Sequence, residues 1–93
     1  MEWTVEKFDK TIKKANLTES ELRRLTDFKD LVEQGNHPKE AAKNWDYEYK
    51  KLNGGNFKNQ FQIKLSGGKR ATFLVHDNVD PGVVEFKQIG GHT

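Results

Sequence analysis

Apolar residues follow two different rhythms along this chain, and the change comes near its middle. In the first part, Val5, Phe8, Ile12 and Ala15 recur at steps of three and four, which predicts a helix with one buried face. Lys7, Lys10, Lys13 and Lys14 fall outside that stripe and read as its solvated side. The preceding Glu2-Trp3-Thr4-Val5 is short and β-prone, and reads as an edge strand. A second helix has a marked start. Thr18 and Glu21 have the spacing of a capping box, flanked by Leu17 and Leu22 at the positions of a hydrophobic staple. Leu22, Leu25, Phe28 and Val32 supply its buried stripe, with Leu31 at the margin, and Gly35 followed by Asn36-His37-Pro38 ends it. The short joint predicts an antiparallel helix pair.

Residues 38–52 read two ways. Pro38 to Lys43 suits a helical turn with proline at its first position, while Trp45 to Lys50 alternates like a strand. Asn53-Gly54-Gly55-Asn56 then breaks the pattern. Beyond it the rhythm is two. Phe57, Asn59, Phe61, Ile63 and Leu65 alternate with Lys58, Gln60, Gln62 and Lys64, Ser66-Gly67-Gly68 turns the chain, and Lys69 to His76 forms the return strand. Asn78 to Gly82 is turn chemistry, and Val83 to Ile89 is a third strand.

The hairpin register follows from packing, because a slip of one residue sends every side chain to the other face. A two-residue loop would set Phe73 and Val75 among Gln62, Gln60 and Lys58. A three-residue loop instead pairs Phe61 with Phe73, Ile63 with Ala71 and Asn59 with Val75, giving one apolar face for the helices to cover. The reverse face then carries Gln62 opposite Thr72, Lys64 opposite Arg70, and Lys58 near His76. Like charges placed opposite each other repel, so Lys64 and Arg70 call for an anion between them.

Composition narrows the picture. Apolar residues (33%) and charged residues (32%) are balanced over 93 positions, enough for one small core and one domain, residues 1–93. The absence of cysteine excludes disulfides, thiolate catalysis and cysteine-based zinc sites. His37, His76 and His92 lack ligand spacing, so neither a metal nor a cofactor is expected. No apolar run has the length of a membrane span and the first residues lack signal-peptide order, so a cytoplasmic setting is expected. The net charge of +2 is modest, but residues 36–93 hold nine Lys/Arg against six Asp/Glu. The first 35 hold seven against eight, so the basic excess belongs to the second half.

The order strand, helix, helix, then three antiparallel strands resembles the RelE/ParE superfamily of bacterial toxin–antitoxin toxins. The residues that carry the resemblance are Lys51-Leu52-Asn53-Gly54, Phe61-Gln62-Ile63-Lys64-Leu65, Lys69-Arg70-Ala71-Thr72-Phe73 and the ending Gln88-Ile89-Gly90-Gly91-His92-Thr93. The resemblance implies an α+β fold: an N-terminal strand and two antiparallel helices packed on one face of a C-terminal antiparallel sheet, similar to the microbial ribonucleases. It also implies a metal-independent endoribonuclease that cleaves mRNA in the 30S ribosomal A site and is neutralised by a cognate antitoxin protein. Lys64 and Arg70 then stand where the family contacts the scissile phosphate, and His92 where several members place a C-terminal histidine or tyrosine.

Those residue types suit cleavage of RNA through its own 2′-OH, which needs a base, cations for the pentacovalent phosphate and an acid for the leaving oxygen. Arg70 offers a planar fork for two phosphate oxygens. Lys64 serves as base only with a lowered pKa, toward which Arg70 pushes it. His92 titrates near neutrality, though a frayed end is its plain alternative. Lys58, Gln62, Tyr49, Lys69, His76 and Lys87 are the candidate RNA contacts. Tyr49 stacks a base, acts as a phenol acid or simply packs, and His76 beside Asp77 also reads as an ordinary surface residue. Gln62 stands where the best-known ribosome-dependent member has lysine. Two other functions share these features: a ParE-like DNA gyrase inhibitor, and a non-catalytic RNA- or protein-binding module.

Overall fold

Alternation over the second half builds a sheet, and the apolar face of that sheet collects the helices. The computed structural model describes residues 2–43, 49–52, 60–66 and 68–91. In chain order these form β1 (Trp3–Glu6), α1 (Phe8–Ile12), α2 (Glu19–Glu33), α3 (Pro38–Lys43), β2 (Lys50–Lys51), β3 (Gln60–Lys64), β4 (Arg70–His76) and β5 (Gly82–Gly91). The five strands make one mixed sheet in the order β1-β5-β4-β3-β2. Among the described strands only β1 runs parallel to its neighbour, pairing Trp3–Glu6 with Gly82–Glu85 of β5.

The hairpin has the register expected of a three-residue connection. Leu65 N donates to Lys69 O (2.9 Å), and Phe61 faces Phe73, Ile63 faces Ala71, Gln62 faces Thr72 and Lys64 faces Arg70. The expected Asn59–Val75 pair and Lys58 lie outside the described residues. On the apolar face, Phe28 of α2 lies tilted at 5.3 Å from Phe73, Phe73 meets Phe86 at 5.7 Å, and Phe8 of α1 meets Phe86 at 5.3 Å. Ile63, Leu65, Ala71, Val84, Leu25 and Val32 close the same core, all at most 1% exposed.

Three expectations needed correction. The first helix is shorter than its stripe suggested, because Val5 belongs to β1 and Lys7 turns the chain in a left-handed conformation (φ 62°) before Phe8. The second helix starts at its capping box as expected, but Glu21 rather than Leu22 heads the buried stripe, with Glu21 6% and Leu22 41% exposed. In place of an antiparallel helix pair the described residues hold three helices. α1 packs chiefly on β5, and α2 packs on β1 and α3. Of the ambiguous stretch, Pro38–Lys43 is helical, Lys50–Lys51 is a strand, and residues 44–48 lie outside the described residues.

β5 contains two bulges. Thr72 pairs with Gln88 but Phe73 with Phe86, and Arg70 pairs with Gly91 but Ala71 with Ile89, so Lys87 and Gly90 are the extra residues. Gly90 sits at φ 87°, a left-handed conformation that a residue with a Cβ adopts only under strain.

Candidate functional site

Cross-strand pairing sorts the sheet into two faces. All three helices contribute to the face of Phe61, Phe73 and Phe86. The other face carries Lys50, Gln60, Gln62 and Lys64 from β2 and β3, Arg70, Thr72, Leu74 and His76 from β4, and Glu85 and Gln88 from β5. Among the described residues no helix lies over it.

Lys64 and Arg70 are directly opposite at the turn end of this face. Both are half-buried. Arg70 Nη1 is shut off from solvent and has no hydrogen-bond acceptor among the described residues. An unsatisfied buried donor costs about 1–3 kcal/mol, and more when charged, so this nitrogen favours an incoming anion. Next along the strands, the pair Gln62 and Thr72 is buried at 8% and 5% exposure. The two cations thus sit beside a shielded polar pair.

The connection bearing these cations is clamped to α2. Glu21 and Thr18 form the complete capping box, with Glu21 N donating to Thr18 Oγ1 (3.2 Å) and Thr18 N donating to Glu21 Oε1 (2.8 Å). The same carboxylate accepts from the Ser66 hydroxyl and from Lys69 Nζ (3.2 Å). Led by the Ser66 bond, these donors hold the Glu21 carboxyl down to about 2. Lys69 also donates to the Asn16 carbonyl, and Arg24 Nη1 donates to the Leu65 carbonyl at 3.5 Å. The start of α2 thus fixes both arms of the turn that sets Lys64 against Arg70.

The remaining candidates are scattered. Gln62 lies beside the pair. Lys69 is adjacent in sequence, but its ammonium is engaged by Glu21 and Asn16. Tyr49 stacks on Phe61 (5.0 Å) and leans on Phe73, which places its ring on the core face, and its buried hydroxyl has no partner among the described residues. Burial, with Asp77 adding to it, pushes that phenol above its usual range. His76 stands at the far end of β4, 3.5 Å from Glu85, which also holds Lys7 at 2.6 Å. The Lys7 bond is the main cause of a lowered Glu85 carboxyl. Lys87, at its bulge, borders a groove against α1. Lys58 and His92 lie outside the described residues.

Sequence reading missed Arg24 and Glu85, and saw only half of what Glu21 does. The capping box marked Glu21, but Ser66 and Lys69 are too distant in sequence for spacing to link them. Among the described residues no three His, Asp or Glu side chains gather in a metal-ligating cluster, and no helix is long and apolar enough to cross a membrane. Fold and face together define a small α+β protein whose polar sheet face carries a cation pair at its turn end. No protein-family model matches the chain, and no curated protein does either.

Proposed function

We propose that this chain is a RelE/ParE-like toxin, a metal-independent endoribonuclease that cleaves mRNA at the ribosomal A site in the cytoplasm and is neutralised by a cognate antitoxin. The observation that carries the reading is Arg70 Nη1, desolvated, without an acceptor among the described residues, on a residue opposite a second cation, Lys64. The order of elements supports it, with an N-terminal strand lying parallel beside the last strand of an antiparallel set.

In this reading the RNA backbone crosses the polar sheet face, and a phosphate sits between Lys64 and Arg70. The 2′-OH attacks the adjacent phosphorus, forming a 2′,3′-cyclic phosphate and expelling the 5′-oxygen. Arg70 binds two of the phosphate oxygens and stabilises the charge they gain in the pentacovalent state. Lys64 neutralises the same charge or, once deprotonated, takes the 2′-OH proton. His92 delivers a proton to the departing 5′-oxygen. Gln62 borders the path beside the cation pair. The Glu21 clamp holds the turn, so the two cations do not spread when the site is empty.

Induced expression tests the reading. The parent chain should arrest growth and fragment mRNA, whereas Arg70→Ala should lose roughly 100-fold or more of the cleavage rate, the scale seen when one transition-state donor is removed. Toxicity undiminished in Arg70→Ala would contradict it. A DNA-damage response with intact mRNA would point to gyrase inhibition instead.

A further inference from the structure

β1 is four residues long and β5 is ten, and the mismatch leaves part of an edge open. The parallel ladder ends at Glu6 and Glu85, so among the described residues no strand pairs with Phe86–Gly91 on that side. α1 and the segment after it run along the gap and leave a groove of about 600 Å³ against β5. Ala15 and Leu17 close it at Gly90, where an added Cβ would come within 3.7 Å and 3.8 Å of them.

The groove is basic. Lys10 and Lys14 of the α1 side and Lys87 of β5 line it, and none makes an ion pair among the described residues. Lys7 borders the same groove, its charge already met by Glu85. Phe86 and Ile89 back the floor but are 1% and 6% exposed, so Phe86 offers no ring face for a nucleobase to stack on. Stacking is what single-stranded nucleic acid takes from such a surface. An open strand edge instead offers backbone donors and acceptors, which an extended peptide satisfies.

We propose that this groove docks an extended acidic segment of a partner protein, which adds as a short strand beside Phe86–Gly91 and presents carboxylates to Lys10, Lys14 and Lys87. Side chains two apart on a strand share a face, so acidic residues at alternate positions all meet the lysine rim. The bulges at Lys87 and Gly90 interrupt the edge and guard it against indiscriminate pairing, which limits the added strand to a few residues. The site lies on the edge of β5 away from β4, whose Arg70 pairs with Gly91, and does not depend on the chemistry of Lys64 and Arg70.

The test uses the full chain with three probes: an acetylated heptapeptide of alternating glutamate and valine, its lysine–valine counterpart, and a single-stranded oligouridylate. Hydrogen exchange of the backbone amides should slow at residues 86–91 with the acidic peptide alone. Joint reversal of Lys10, Lys14 and Lys87 to glutamate should weaken that peptide by at least about ten-fold, and added salt should weaken it on the unaltered chain. The salt titration reads the same charge dependence even if the reversed variant fails to fold. No binding, binding without amide protection, insensitivity to salt, or protection of the same amides by oligouridylate would each overturn the proposal.

Discussion

Glu21 illustrates how one side chain serves two structures at once. It caps α2 and anchors the β3–β4 turn, with its carboxyl held down to about 2 chiefly by the Ser66 hydroxyl. A carboxyl lowered on folding stabilises the fold above its unfolded value, near 4.5, and loses that contribution as pH falls toward 2. Acid titration should accordingly show parent stability declining across that window, with a much flatter decline in Glu21→Gln. Urea unfolding at neutral pH should place Glu21→Ala about 1–2 kcal/mol below the parent. Tyr49 makes the opposite case. Its phenol is buried without a partner among the described residues, and its ring stacks on Phe61. Tyr49→Phe should therefore match or exceed the parent's urea midpoint and keep full toxicity. A large loss of toxicity would instead restore the phenol as an acid or base-stacking group. Lys64 opposite Arg70 was legible in the sequence because a single register satisfied the apolar face. The uses of Glu21 and Tyr49 were not, since both rest on contacts far apart in the chain.

β5 is the element on which most of the architecture converges. It pairs with β1 along one edge and β4 along the other, and it carries both bulges. Its glycines differ in kind. A Cβ on Gly82 would fall 2.7 Å from Trp3 Cε3, so the indole packs flat where that side chain would be. Gly82→Ala should cost about 1–3 kcal/mol by overpacking and loosen β1, measurable by urea unfolding and by faster exchange of the β1 amides. Gly90 has room for a Cβ but stands at φ 87°, so Gly90→Ala should cost about 1–2 kcal/mol through backbone strain. Strand existence was readable from the period-two pattern in residues 57–89. The bulges were not, because Phe86-Lys87-Gln88-Ile89 places its apolar residues three apart, a spacing that alternation does not resolve into an extra residue. The first helix was read too long for a related reason. Val5 fits both a helical stripe and a strand, and pairing with Val84 decided the matter.

At the scale of the whole molecule, one aromatic cluster joins α2 to the sheet. Phe28, Phe73 and Phe86 are each at most 1% exposed and mutually in contact. Phe73→Ala should cost about 3–5 kcal/mol, a large share of the 5–15 kcal/mol typical of a domain. Placing that cluster on one face leaves the other polar, and this division is the link from fold to proposed activity. The α+β class and the composition of each face were legible from apolar periodicity. The parallel pairing of β1 with β5 was not, since it joins the two ends of the chain and no local pattern records it. The central claim is that Lys64 and Arg70 handle an RNA phosphate, and primer extension on RNA from induced cells tests it most directly. New 5′ ends should arise within coding regions with the parent chain and be absent with Arg70→Ala expressed to the same level. An induced parent chain that yields no new 5′ ends, or an Arg70→Ala chain that yields the same ones, would contradict it.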